Sequence, residues 1–433
     1  MAADIHIAEK VRTEANTSIW WIKVSTWVAI ATSLFTAVTG EITLLRVGSY
    51  NFQTAELLFA VLLATLLRVA SQHRPVINFL SVLVWAFVAL QLLGLIRGLA
   101  TNQAAAIVSL RANGGLPVLL ILATYLPNVT GAKEAIPRIL VSGAMAACAV
   151  SVARLFFGAQ LWYLADYATT MAINDGGRVI SNNGALLIGV GAIIGTMTLF
   201  DRVRSRTAKL RDIATPAAMT LILPLTFQGS ATLGTLLGFI GLFALLPGQH
   251  RALRQFLILY LVGSGLALLL IAPEFYRFEW VGALLPADVA EQLMRRTNNL
   301  GTREAIWDGV LAGFPYWKYT DQVFGHPFGQ SPLLVINQWG GMIWTVSIHS
   351  MYFGLLVTSG LAGLGIYLLT VVLLLIMLFV KAIRYCNSYA ALCASLLLIL
   401  LVFGYGYDLR NEHGIILAVA ISGALSRMAA HRT

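Results

Sequence analysis

The sequence predicts an all-α fold: a polytopic transmembrane helical bundle of about twelve spans, with one large outer loop that carries short amphipathic helices. Three observations predict it. Only 11% of the 433 residues are charged, 58% are hydrophobic, and mean hydropathy is +0.79; an ordinary globular chain uses roughly 25% charged residues to cover its surface. Uncharged runs near ~20 residues recur along the chain, the length a helix needs to cross a bilayer. Period-2 alternation is absent, which excludes a membrane β-barrel, the other architecture that satisfies every backbone group in lipid.

Taken in order, the apolar runs place spans near 20–45, 54–70, 76–96, 113–128, 138–158, 183–200, 213–229, 231–247, 255–272, 348–380, 388–407 and 414–427. The first and tenth exceed the bilayer requirement, which allows tilt or an extension beyond the membrane. Between the seventh and eighth, "QGS" barely makes a turn. The first eighteen residues, "MAADIHIAEKVRTEANTS", are too polar and acidic for a signal peptide, so no cleaved segment is expected. Three regions follow: an N-terminal bundle of about nine spans over 1–272, a loop domain over 273–347, and about three C-terminal spans over 348–433.

Lysine and arginine set the expected orientation. With the N-terminus in the cytoplasm, 18 of the 29 basic residues fall on that side, including the cluster Arg202, Arg204, Arg206, Lys209 and Arg211. Five of the remainder lie in the one long loop that the positive-inside rule discounts. Both termini are expected in the cytoplasm and the 273–347 loop in the periplasm. The net charge of +10 then reflects topology and attraction to anionic membrane lipids, not nucleic-acid binding. Cys148, Cys386 and Cys393 have neither disulfide nor zinc spacing. The outer histidines His326, His349 and His413 lack metal-ligand spacing, and no G-x-S-x-G elbow occurs. No metal and no cofactor is expected.

The long loop holds most of the outer chemistry. "PEFYRFEW" puts Arg277 among aromatics suited to a membrane interface. "PADVAEQLMRR" reads as a helix with Pro286 near its start and Arg295 and Arg296 at its end, where the helix dipole favours cations. "GTREAIWDGVLAGFP" reads as a second helix, N-capped by Thr302, with Ile306, Trp307, Val310, Leu311 and Phe314 on one face. Arg303 sits in its first turn, where the dipole disfavours it. It either awaits an anionic partner or pairs with Glu304 or Asp308. In a second outer loop, "GGRVISNNG", glycines flank Arg178 while Asn182 and Asn183 offer amide groups. Arg97 and Arg111 also fall at the outer face. Such arginines either hold an anion, for which a guanidinium fork suits phosphate, or snorkel to headgroups.

One spacing is more specific. His349-Ser350 precedes nine residues, then Gly360, two more, and Gly363. This resembles the histidine motif of the O-antigen ligase family: His, then Asn, Ser or Gln, nine residues, Gly, two residues, and Gly, Thr or Tyr. "TREAIWDGVLAGFP" and "FGHPFGQ" are similar to that family's Arg-x-x-x-Trp helix and the glycine-containing turn after it, here Arg303, Trp307, Gly325 and Gly329. "GGRVISNNG" resembles its arginine-and-asparagine loop. A Ser-Arg pair that often opens a mid-chain span in the family is here Ser230-Ala231, so Arg277, Arg295 or Arg296 is the expected replacement.

The resemblance implies a GT-C-like glycosyltransferase of a bacterial inner membrane. It would transfer a glycan from undecaprenyl diphosphate to a saccharide or lipid A–core acceptor at the periplasmic face, without metal and with inversion. His349 would be the general base. Arg303, Arg178, Arg296 and Arg277 would bind the diphosphate, with Trp307, Ser350, Gly360 and Gly363 in support. The alternatives are a polymerase of lipid-linked repeat units for O-antigen or exopolysaccharide and, from another class, a polysaccharide transporter or flippase. A transporter usually shows repeated halves, and no internal repeat is visible.

Overall fold

A computed structural model describes residues 16–32, 34, 43–47, 50–157, 180, 182–226, 228–246, 306–330, 350–407 and 411–426. Helix α1 covers 16–32. Strands β1 (Thr43–Val47) and β2 (Tyr50–Gln53) then pair antiparallel, with Arg46 opposite Asn51 and Val47 opposite Tyr50. This short hairpin corrects the expectation of a first span running to residue 45, and it leaves the architecture that of a helical bundle, as the all-α expectation had it. Val47, Tyr50 and Phe52 are strand-favouring types.

Helices make up the rest of the described chain. They are α2 (Thr54–Gln72), α3 (Phe79–Asn113), α4 (Gly115–Tyr125), α5 (Ala132–Phe157), α6 (Asn182–Arg204), α7 (Leu210–Leu225) and α8 (Gly229–Leu245). Then come α9 (306–313), α10 (Tyr319–Phe324), α11 (Met351–Arg384), α12 (Ser388–Gly406) and α13 (Asn411–Leu425). Among the described residues, five stretches are long and apolar enough to cross a membrane: Phe79–Thr101, Ala132–Arg154, Asn182–Arg204, Met351–Arg384 and Ser388–Gly406. Gly115–Asn128, Gly229–Leu245 and His413–Leu425 are shorter apolar helices. The chain is therefore a helical membrane protein. The expected span at 255–272 lies outside the described residues.

One boundary differs from expectation. Helix α3 does not end at 96; it continues through Arg97 to Asn113, because that stretch is rich in alanine and leucine and contains no proline. The "QGS" turn does separate two helices, with Thr226 closing α7 and Gln228 preceding α8.

Helix α6 is the central post, with 89% of its span window buried inside the bundle. Its small residues explain this. A Cβ on Gly189 would lie 2.0 Å from Thr235 Oγ1 on α8, and one on Gly191 would lie 2.2 Å from Ala144 Cβ on α5. Backbones approach closely there, as small residues allow in membrane bundles.

The two ends of the bundle differ in chemistry. At one end Lys381, near the end of α11, donates from Nζ to the carbonyls of Gly423, Ala424 and Ser426 at the end of α13. A cation at a helix C-terminus offsets the negative end of its dipole. Lys133, at the start of α5, lies 5.0 Å from the Tyr389 ring at the start of α12. The opposite end gathers Ile180 just before α6, Gln228 before α8, Ser350 before α11, Tyr407 after α12 and His413 near the start of α13.

Candidate functional site

Of the predicted site residues, His349, Arg303, Arg178, Arg296 and Arg277 lie outside the described residues. Trp307, Ser350, Gly360 and Gly363 are described, and they belong to two connected features at the N-terminal end of α11.

The first feature is the joint between α9 and α11. Trp307 is buried and stacks on Phe353, with ring centroids 5.5 Å apart and planes 11° apart. Tyr405 of α12 meets the same indole edge-on at 5.1 Å. About one turn on, Val310 shares a small buried cluster with Leu356 and Val357. The contacts run in the same order along both helices, so α9 and this arm of α11 lie parallel. Ser350 precedes the first turn of α11 and is fully buried.

The second feature explains the motif glycines. Helix α11 has 34 residues and, at 1.5 Å each, would be about 51 Å long, against a hydrocarbon core of about 30 Å. It is broken at Gly360, whose φ of 64° is in the left-handed region. A Cβ there would lie 2.4 Å from the carbonyl of Val323, so only glycine satisfies both the conformation and the contact. A Cβ on Gly363 would lie 2.1 Å from Ser359 Cβ. Ser359 is itself buried and accepts a hydrogen bond from Gln91 of α3.

Into this break fits the segment Asp321–Gln330. His326 donates its amide to Val357 O at 2.7 Å, and Phe328 donates its amide to Gly94 O at 3.1 Å. Arg97 of α3 donates to Gly325 O at 2.8 Å and to Asp321 Oδ1 at 2.5 Å. Sequence reasoning offered Arg97 an anionic ligand or a headgroup; instead it is occupied by the protein's own carboxylate. Within this segment, Gln322 Nε2 reaches back to the carbonyls of Phe314, Pro315 and Trp317 at 3.1–3.2 Å and holds the preceding turn.

His326 is the unsatisfied member of this group. Its ring meets Trp317 edge-on at 4.4 Å, and its Nδ1 is 3.6 Å from Asp321 Oδ2, too long for a hydrogen bond. Neither ring nitrogen has a hydrogen-bond partner among the described residues. Burial pushes its pKa below the ordinary 6.5; Asp321 opposes this and Arg97 adds to it. A base whose folded pKa is depressed stabilises the docked state fully above its unfolded pKa and loses that contribution as pH falls towards the folded value. Docking of 321–330 is therefore expected to loosen as pH falls below the ordinary imidazole range near 6.5, and His326→Gln to flatten that dependence. Amide hydrogen exchange of the segment measures it.

A chain of contacts links the helix ends on the same side of the bundle as Ser350. Gln228 donates from Nε2 to Ile180 O at 3.1 Å and accepts from the Tyr407 hydroxyl at 3.4 Å. Tyr407 stacks on Phe403 at 4.7 Å, and Phe403 meets the buried His413 at 5.1 Å. At this end of the bundle an amide, not an arginine, precedes the Ser230-Ala231 pair and ties the start of α8 to Ile180, just before α6. Sequence reasoning missed Gln228, Gln91 and Asp321; each is an ordinary polar residue whose partner is distant in the chain. Among the described residues, no group of three or more His, Cys, Asp or Glu side chains could hold a metal ion.

No protein-family model matches the chain, and no curated protein matches it.

Proposed function

We propose that this protein is a membrane glycosyltransferase of the O-antigen ligase type. In this reading it transfers an undecaprenyl-diphosphate-linked glycan to a saccharide acceptor, with about twelve spans, cytoplasmic termini and an outward-facing site in a bacterial inner membrane. The observation that supports it most is the Trp307–Phe353 stack. Arg303 stands four residues before Trp307, and His349 stands four residues before Phe353. The two motif segments, 42 residues or more apart in sequence, are thus joined side by side and in parallel through rings that each follow a proposed functional residue by four positions.

The roles follow from side-chain chemistry. His349 Nε2 or Nδ1, neutral at pH 7, takes the proton from the acceptor hydroxyl as its oxygen attacks the anomeric carbon. The bond to the diphosphate oxygen breaks on the opposite face, so the configuration inverts. Arg303 and Arg178, with Arg296 and Arg277, hold the diphosphate and offset the charge that it gains on leaving. Trp307 and Ser350 fix the two segments, and Gly360 and Gly363 let the outer segment seat against α11.

Arg303→Ala in cells that make the polysaccharide tests this. Finished polysaccharide is expected to be lost while lipid-linked glycan accumulates on the outer leaflet, accessible to an added glycosidase. Accumulation on the inner leaflet would indicate a flippase, and unchanged polysaccharide would remove Arg303 from the reaction.

A further inference from the structure

We propose that Arg97 and Asp321 are positioning residues: a clasp that sets the height of the outer segment 306–330 against α3 and α11, and so keeps α9 in register with the outer arm of α11. The inference rests on the transferase reading, in which α9 follows Arg303 and that arm follows His349.

The clasp is placed where the bundle meets its outer segment. Gly360 stands 24 residues before Arg384, about 36 Å along the helix, so the break falls near the outer boundary of a hydrocarbon core about 30 Å thick. At that level Arg97 holds both the Asp321 carboxylate and the Gly325 carbonyl, a fork that a lysine would not reproduce. The side chains of Arg97 and Asp321 are only 25% and 11% exposed. Removing the guanidinium would leave a mostly buried carboxylate beside His326 with no strong cation, a costly arrangement.

Around the clasp the contacts are backbone on backbone. A Cβ on Gly98 would lie 2.4 Å from Phe328 O, one on Gly325 would lie 2.3 Å from Ser359 N, and one on Gly329 would lie 2.5 Å from the carbonyl carbon of Ala105. With no side chains between them, these surfaces cannot absorb a displacement by changing rotamers. A shift of Asp321–Gln330 therefore passes to Phe314, Trp317 and the Val310–Leu356–Val357 cluster, and on to the Trp307–Phe353 stack. The motif spacing gains a physical reason: it fixes the ten residues of α11 and its cap between the docking point at Gly360 and His349.

The test compares wild type, Arg97→Ala, Arg97→Lys, Asp321→Asn and the exchanged pair Arg97→Asp with Asp321→Arg, all full-length in lipid nanodiscs. Amide exchange over 325–330 is read beside glycan transfer. Arg97→Ala is expected to speed exchange by ~10-fold or more and to lower kcat while the donor KM stays nearly constant. Lysine should be intermediate, and the exchanged pair should recover part of both losses. A raised donor KM with unchanged exchange would make Arg97 an anion ligand and overturn the proposal. Faster exchange with full transfer would also overturn it. If wild type itself transfers no glycan while exchange responds as predicted, the clasp stands and the transferase reading falls.

Discussion

Replacing His349 with alanine is expected to lower glycan transfer by roughly 10²–10⁴-fold, the usual contribution of a positioned general base. The acceptor hydroxyl is a weak nucleophile, and its proton must leave as the new bond forms. Among neutral side chains at pH 7, imidazole is the one whose pKa, near ~6.5, lets it both accept that proton and release it to water. The rate should therefore fall at acid pH in the wild type, because protonated histidine cannot act as a base. His349→Ala should have lost this pH dependence along with most of its activity. Binding of the lipid-linked donor should change little, since the proposal gives the diphosphate to the arginines and not to His349. A variant that keeps wild-type rate and pH profile would remove His349 from the chemistry.

Gly360→Val should be the most damaging change within the described structure. A β-branched residue at φ 64° is strained by roughly 1–3 kcal/mol. Its side chain must also displace the backbone of Val323 and Gly325, which a Cβ would approach at 2.4–2.5 Å, for about 1–3 kcal/mol more. Helix α11 can relieve both costs only by straightening and expelling Asp321–Gln330. The expected result is a lower Tm, fast amide exchange over 325–330 and loss of transfer. Gly365→Val, one turn further on, is the control: nothing lies within 4 Å of a Cβ there, so little should change.

What the sequence made legible follows from which signals are local. Apolar runs mark helices directly, and the spans at Asn182–Arg204, Met351–Arg384 and Ser388–Gly406 fall where hydropathy puts them. The β1–β2 hairpin was hidden because its valine, leucine and aromatic residues continue a hydrophobic run. The end of α3 was misjudged because Arg97 breaks the hydropathy window but not the helix. The spacing of Gly360 and Gly363 was readable; its cause was not, because Gly360 answers to Val323 and Gly325 in a distant segment, and Gly363 to a serine displaced by the break. Arg97 stood out as an outer arginine, but its partner Asp321 is 224 residues away and carries no mark of that pairing. Local chemistry announces candidates, and long-range packing decides which of them are occupied.

The most direct test of the central claim uses purified protein in nanodiscs, an undecaprenyl-diphosphate-linked oligosaccharide, a lipid A–core acceptor and a chelator. The anomeric configuration of any new linkage is read by NMR. The account predicts a product with inverted configuration, formed in the presence of chelator and lost with His349→Ala. Retained configuration, dependence on a divalent metal, or equal product from His349→Ala would contradict it.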